Sequence, residues 1–199
     1  MKTRILAIDL VNRAGIRRLG LSIIGSIIIA LSARTSFLTP LSPVPVTLQV
    51  AAVLLTGMVL GSRWGTWSVI QYILVGLMGA PIFAMGYGGP GVIVSPSFGY
   101  LAAFIPAAWI AGKLSESGRR HFIRNLLIGT LGVAVIYLGG YLWLAGGLIL
   151  SGSTVENALE KAWMTGIIPF VIVDLLKILA VSGLTSIEGV HLKMSQNRK

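Results

Sequence analysis

The sequence predicts an all-α integral membrane protein with six transmembrane helices, and its composition is the first reason. Of its 199 residues, 55% are hydrophobic and only 11% are charged, with a mean hydropathy of +0.86. A soluble domain of this size carries about 25% charged residues, so the shortage of charge favours a membrane protein. Cysteine is absent, which excludes disulfides, thiolate metal sites and cysteine nucleophiles.

Six apolar segments are the second reason for this prediction. A transmembrane helix needs about 20 apolar residues, within a range of about 17–25. The second and third segments are short and are separated only by Gly61, Ser62 and Arg63, which predicts a tight helical hairpin. The segments cover residues 19–38, 46–60, 64–79, 98–114, 126–150 and 165–187, and form one membrane domain with a basic arm (1–18), a core (19–187) and a tail (188–199).

The placement of lysine and arginine predicts the orientation in the membrane. Of the 16 basic residues, all but Arg34, Lys161 and Lys177 fall in the arm, in the tail or in turns expected on the same side. Because cytoplasmic loops carry the excess of basic residues, both termini are predicted to be cytoplasmic, in a multi-pass protein of the cytoplasmic membrane. The net charge of +10 does not predict nucleic-acid binding, since the basic residues flank apolar segments.

Three loops are expected on the opposite side. The first, 35–47, contains three prolines and is expected to be extended and stiff, because proline fixes φ and disfavours helix at the preceding residue. The second, 80–97, is rich in glycine and apolar residues and has no charge, so it is expected to fold back over the helices as a lid. The third, 151–164, is polar and is expected to be an ordinary surface connection.

Two ionisable residues, Asp174 and Lys177, lie in the middle of the last apolar segment. Such side chains cost roughly 2.5–3.5 kcal/mol each at the centre of a membrane, and those that occur mark functional sites by default. A spacing of three residues places both on one face of a helix. The pair is therefore expected to point into the protein interior as a binding site. The alternative is a structural ion pair that satisfies only itself.

Several motifs occur in order along the chain. They are PVPVTLQ (43–49), LTGMVLGSRWG (55–65), GLMGAPIF (76–83), the glycine-rich GYGGPG (86–91), and the segment from Pro169 through Asp174 to Lys177. Together they resemble the BioY family, the biotin-binding S component of energy-coupling factor (ECF) transporters, over residues 19–187. One departure is Ser95-Pro-Ser-Phe-Gly-Tyr100, where the family usually has a stretch like Gly-Pro-Thr-Gly-Gly-Tyr.

The resemblance implies an S-component fold that holds biotin near the external side, under the first two outer loops. It implies high-affinity capture and uptake of biotin together with a membrane coupling (T) subunit and two cytosolic ABC ATPases. The chain has no G-x-x-x-x-G-K-[ST] motif, so ATP hydrolysis through a P-loop must come from another chain. The alternative is a solo biotin carrier that works without the ATPase module.

Biotin combines two ureido N–H donors, a carbonyl acceptor, an apolar ring and a carboxylate. Asp174 can accept from a ureido N–H, and Lys177 can donate to the ureido oxygen or to the carboxylate; which end meets which residue is left open. Gln49 fits a tether between loop and helix equally well, and Tyr100 fits an anchor at the membrane interface. The full set of predicted substrate-binding residues is Asp174, Lys177, Gln49, Phe83, Tyr87, Gly88, Gly89 and Tyr100.

Three small residues, Ser22, Ser26 and Ala30, recur every four positions in the first segment. Small residues at this spacing allow another helix to approach closely. The resemblance implies that this face docks the coupling protein, and the alternative is packing within the chain. Arg34, at the outer end of the segment, can meet a substrate carboxylate or extend to water, and the second is expected.

No cofactor, metal site or enzymatic activity is predicted. His121 and His191 are far apart and have no neighbouring ligand pattern, and no G-x-S-x-G motif is present. An intramembrane enzyme that uses Asp174 as acid or base is a rival hypothesis. A carboxylate beside a lysine should be ionised, however, which suits a general base poorly at neutral pH.

Overall fold

The part of the chain that the structure describes forms six α-helices and one short β-hairpin. A computed structural model describes residues 2–117 and 121–187, with side chains from residue 15 onwards. The predicted tail (188–199) and two of the basic residues, Arg119 and Arg120, lie outside this part. The elements are α1 (Lys2–Arg34), β1 (Phe37–Thr39), β2 (Ser42–Val46), α2 (Gln49–Leu77), α3 (Phe98–Ser115), α4 (Phe122–Leu150), α5 (Val155–Gly166) and α6 (Val171–Ser186).

Four helical segments within the described residues are long and apolar enough to cross a membrane. They are Gly15–Arg34, Phe98–Ser115, Phe122–Leu150 and Val155–Ser186. These helices agree with the multi-pass membrane character predicted from composition. The count of six spans and the cytoplasmic position of both termini stay predictions.

The first apolar segment differs from its predicted bounds at both ends. Helix α1 begins at Lys2, so the arm continues the helix, and it ends at Arg34 rather than at residue 38. The chain then forms β1, which pairs antiparallel with β2 through Phe37 with Val46 and Thr39 with Ser42. Prolines within β2 exclude helix, and they produce the extended segment that the sequence predicted.

Helix α2 is the predicted helical hairpin. Gly61 breaks it with a φ of +81°, a conformation that favours glycine. A Cβ on Gly65 would lie 2.7 Å from the Gly57 Cα, whereas eight residues of straight helix span about 12 Å. The two arms therefore fold against each other. Glu116, the residue after α3, caps the second arm, since its Oε1 accepts hydrogen bonds from the Ser62 N–H (2.9 Å) and Oγ (2.8 Å).

Small residues let the central helices approach closely. A Cβ on Gly57 of α2 would lie 2.5 Å from the carbonyl oxygen of Ala108 in α3. A Cβ on Gly139 of α4 would lie 2.6 Å from the Ala103 Cβ on the opposite side of α3. Helix α3 is thus held tightly between α2 and α4, as expected where packing rather than hydrophobic exclusion joins helices in a membrane.

The small-residue stripe of α1 packs within the chain, which is the alternative that the sequence left open, and its docking of a partner stays a prediction. The Ser22 side chain is fully buried, and Ser22 and Ser26 Oγ lie 3.2 and 3.0 Å from Gln71 Oε1. Ser26 Oγ is also 2.7 Å from the Ser68 carbonyl oxygen, and Ala30 packs against the core. The second arm of α2 occupies this face because hydroxyls in hydrocarbon need partners. The outward face of α1 carries large aliphatic side chains instead.

The third outer loop is also different from its prediction, because most of it forms helix α5. Thr154 caps this helix, with its Oγ1 accepting from the Asn157 N–H at 3.4 Å. Ala158, Ala162 and Gly166 recur every four residues and form its buried face. A 3-10 turn at Ile168–Phe170 then connects α5 to α6. The predicted last segment, 165–187, therefore begins inside α5.

Because the two arms of α2 are in close contact, we expect one methyl group added at Gly65 to destabilise the protein. Gly65→Ala places its Cβ against backbone atoms that cannot rotate away, and should destabilise the protein by about 1–3 kcal/mol. Gly147→Ala in α4 is the control, since a Cβ there meets nothing within 4 Å. Thermal unfolding in detergent should show a lower midpoint for Gly65→Ala alone. Equal midpoints for the two variants would contradict the hairpin geometry.

Candidate functional site

A cavity of about 510 Å³ lies among β2, the loop after α2, and helices α2, α3, α4 and α6. Small-molecule sites have volumes of about 300–1,000 Å³ and are mostly apolar with a few placed polar groups. Apolar and aromatic side chains line most of this cavity, and its polar side chains come from helices α2, α3, α4 and α6 and from the loops that precede α2 and α3. The aromatic lining residues are Phe83, Tyr87, Tyr100, Phe104, Tyr137 and Phe170.

The cavity collects most of the predicted substrate-binding residues from distant parts of the chain. Seven of the eight line it: Gln49, Phe83, Tyr87, Gly88, Tyr100, Asp174 and Lys177. Gly89 is not among the lining residues. Its φ of +89° and the hydrogen bond from its N–H to the Gly76 carbonyl oxygen (2.7 Å) give it a role in shaping the loop.

Asp174 and Lys177 form a buried ion pair at one side of the cavity. Lys177 Nζ lies 2.6 Å from Asp174 Oδ1, and the two side chains are 6% and 3% exposed. Tyr137 of α4 donates its hydroxyl to the other carboxylate oxygen, Oδ2, at 2.8 Å. The sequence analysis missed Tyr137, because nothing in the pattern of α4 shows that this position faces α6.

The ion pair leaves donors unused on the lysine side. A lysine ammonium carries three donors, and Asp174 is the one acceptor that Lys177 reaches among the described residues. Both carboxylate oxygens of Asp174, in contrast, already accept a hydrogen bond. Since Lys177 lines the cavity, its remaining donors favour a ligand that brings an acceptor. The binding role of the pair stays a prediction, and these free donors are the feature that favours it.

Gln49 forms the tether that the sequence left open, and its position also allows the other predicted role, contact with a ligand. Its Nε2 donates to the Tyr72 hydroxyl at 2.6 Å, and that hydroxyl donates to the Ile82 carbonyl oxygen at 3.3 Å. These bonds tether the start of α2 to the second arm and to the following loop. Gln49 also lines the cavity, and its Oε1 forms no hydrogen bond with a described residue. This oxygen is available to a donor in the cavity.

The loop after α2 folds back over the helices, as its lack of charge predicted. Phe83 is 2% exposed and packs edge-on against Tyr72, with ring centroids 5.4 Å apart. A Cβ on Gly76 would lie 2.2 Å from the Phe83 ring, so glycine there makes room for it. Met85 has a φ of +60°, and its N–H donates to Ser36 Oγ (2.9 Å), which joins the loop to the end of α1.

Tyr100 is part of the cavity wall and not an anchor at the membrane interface. It is 8% exposed, and its hydroxyl donates to the Gly166 carbonyl oxygen at 2.7 Å. Phe98, the residue that departs from the family motif, is outside the cavity lining. It packs against Trp143 with ring centroids 5.2 Å apart, so the departure changes the support of the wall rather than the cavity surface.

The chemistry of the cavity is suited to binding a small molecule. Its charged lining residues are Asp174 and Lys177, which neutralise each other. Among residues 2–117 and 121–187, no three His, Cys, Asp or Glu side chains lie close enough together to hold a metal ion. The site can therefore accept a small, largely apolar molecule with hydrogen-bonding groups.

Known proteins similar to this chain agree with that conclusion. Residues 2–192 match the model of the BioY family. The chain is 40% identical over 143 residues to the biotin transporter BioY of Thermotoga maritima, a match that covers 72% of this chain and 79% of that protein. It is 37% identical over 137 residues to the probable biotin transporter BioY of Pyrococcus horikoshii, covering 69% and 75%.

A solved structure shares the fold. The structure is described as the S-component for biotin from an ECF-type ABC transporter, determined at 2.1 Å. It matches with a TM-score of 0.75 and 24% identity, covering 88% of this chain and 92% of that chain. The arrangement of helices is thus one that occurs in a known membrane protein.

The stability of the ligand-free protein tests whether the Asp174–Lys177 ion pair holds these side chains in place. Lys177→Met leaves the Asp174 carboxylate buried without its cation, and should lower the free energy of unfolding by about 3–5 kcal/mol. Adding Asp174→Asn removes the unpaired charge and should restore much of that loss. The measurement is thermal unfolding of the ligand-free protein in detergent. If the double variant is as unstable as Lys177→Met, the charge pairing is not what holds these side chains.

Proposed function

The chain belongs to the BioY family, and on that premise we propose that it captures biotin and takes it up across the cytoplasmic membrane. The observation that carries the proposal is the buried Asp174–Lys177 pair at the wall of a closed-over cavity of about 510 Å³. The relatives described above are named as biotin transporters and not as enzymes, which agrees with the expectation that the chain is not an enzyme.

The polar groups of the cavity are complementary to biotin. Biotin brings two N–H donors, and the cavity offers the Gln49 Oε1 and the remaining lone pairs of the Asp174 carboxylate as acceptors. Biotin brings acceptors in its ureido oxygen and carboxylate, and Lys177 has unused donors. The apolar bicyclic ring is matched by aromatic walls such as Phe83, Tyr100 and Phe170.

We further propose that the chain is the substrate-specificity subunit of an ECF-type transporter. The fold similarity to a biotin S-component supports this, and so does the lack of a P-loop motif in the chain. In this proposal six spans place both termini in the cytoplasm, and a T subunit and two ABC ATPases supply the ATP-driven step. In this proposal α1 also contacts the T subunit, and the large aliphatic side chains on its outward face are exposed to it.

Biotin binding tests the site assignment directly. Asp174→Asn and Lys177→Ala should each weaken binding of labelled biotin to purified protein about tenfold or more, because each removes a charge-assisted hydrogen bond in a buried site. Lys161→Ala, an exposed lysine of α5 outside the cavity lining, is the matched control and should bind as the wild type does. Unchanged affinity in both site variants would remove the assignment.

Uptake into vesicles tests the need for partners. Vesicles that contain the chain alone should not accumulate biotin, whereas vesicles that also contain a T subunit and ATPases should do so when ATP is present. The reason is that the chain has no P-loop of its own. Equal accumulation with and without the module would instead support the solo carrier.

A further inference from the structure

A second, smaller cavity lies directly beside the first. It has a volume of about 310 Å³ and lies between the end of α1, the β-hairpin and α6. Two residues, Thr47 and Lys177, line both cavities. The two cavities therefore adjoin at these residues, and Lys177, whose ammonium has unused donors, borders both of them.

Arg34 provides a second cation in the side cavity. It is the last residue of α1, where the helix dipole favours a positive charge. Its Nη1 lies 3.5 Å from the position that a Cβ on Gly86 would take, so the guanidinium lies between the end of α1 and the lid loop. Arg34 forms no ion pair or hydrogen bond with any residue of the described ranges. A guanidinium with five donors is thus open to an acceptor.

The charges around the two cavities do not balance. Asp174 is the one acidic residue among their lining residues, and its charge is neutralised by Lys177. Arg34 leaves the combined site with a net positive charge of about one, which is complementary to a ligand carrying a single carboxylate. A planar guanidinium also matches the geometry of a carboxylate, since both can form two parallel hydrogen bonds.

We propose that the side cavity is the subsite for the carboxylate of the ligand, and that Arg34 and Lys177 hold this group from its two sides. The inference rests on the proposed function, because it assigns the valerate carboxylate of biotin to the side cavity. The ureido ring then lies in the main cavity, against Asp174 and Gln49. Arg34 is a specificity-determining residue that selects the free acid over its neutral derivatives.

Comparing the binding of biotin with that of biotinamide distinguishes a role of Arg34 in carboxylate recognition from a structural role. The two ligands share the ring system and differ in whether the tail carries a charge. Arg34→Gln should weaken the binding of biotin about fivefold, the scale of a partly exposed ion pair, and leave the binding of biotinamide unchanged. The loss for biotin should shrink at high salt, since exposed charges are screened. Arg34→Lys keeps the positive charge but loses the planar guanidinium that can form two parallel hydrogen bonds. It should lose less affinity for biotin than Arg34→Gln does.

Two controls make the comparison decisive. Lys161→Gln removes the same charge at a site outside both cavity linings and should bind both ligands as the wild type does. Lys177→Ala should weaken both ligands, because it also removes a group of the main cavity. Thermal unfolding of each variant confirms that it is folded before binding is compared.

Each outcome decides one proposal. If Arg34→Gln weakens both ligands equally, or weakens neither, the carboxylate subsite is overturned while biotin binding by the wild type stands. If the wild-type protein binds neither biotin nor biotinamide, the proposed function itself fails, and the subsite fails with it.

Discussion

The organisation of this molecule depends on keeping the Asp174–Lys177 ion pair within an apolar helix bundle. The Asp174 carboxylate is stable there because Lys177 and Tyr137 each donate to one of its oxygens, at 2.6 and 2.8 Å. Removing a partner would leave a charge in surroundings that cannot solvate it. This requirement fixes how α4 faces α6. It also brings the pair to the wall of a cavity rather than to the lipid surface.

Close packing elsewhere makes that cavity possible. Glycines such as Gly57 and Gly139 let α3 lie against both of its neighbours, so side chains of three helices converge on a small volume. Around the cavity, irregular backbone replaces helix. This irregular backbone is tolerated because its N–H and C=O groups form hydrogen bonds within the protein. The Gly89 N–H, for example, donates to the Gly76 carbonyl oxygen. The bundle supplies rigidity and the two outer loops supply closure.

The site is also asymmetric in its hydrogen bonding, which relates its structure to its proposed role. Asp174 has both oxygens occupied, whereas Lys177 and Arg34 retain donors toward the two cavities. A binding site with spare donors selects a ligand rich in acceptors, and a net positive charge selects an anion. An apolar ring with a ureido group at one end and a carboxylate at the other satisfies both conditions. The match to the family model places the chain in a family whose named members are biotin transporters.

The sequence by itself determined the features that depend on local chemistry. These were the membrane class from charge content, the α2 hairpin from Gly61 and its neighbours, the extended proline segment, the folded-back uncharged loop, and the inward pair at Asp174 and Lys177. Only the tertiary structure decided which helix faces met. It paired Tyr137 with Asp174, turned the Ser22 and Ser26 stripe toward α2, and formed α5 where a simple loop was expected. A helical period shows which residues share a face. Which helix packs against that face depends on contacts between distant segments, and no single segment specifies those contacts.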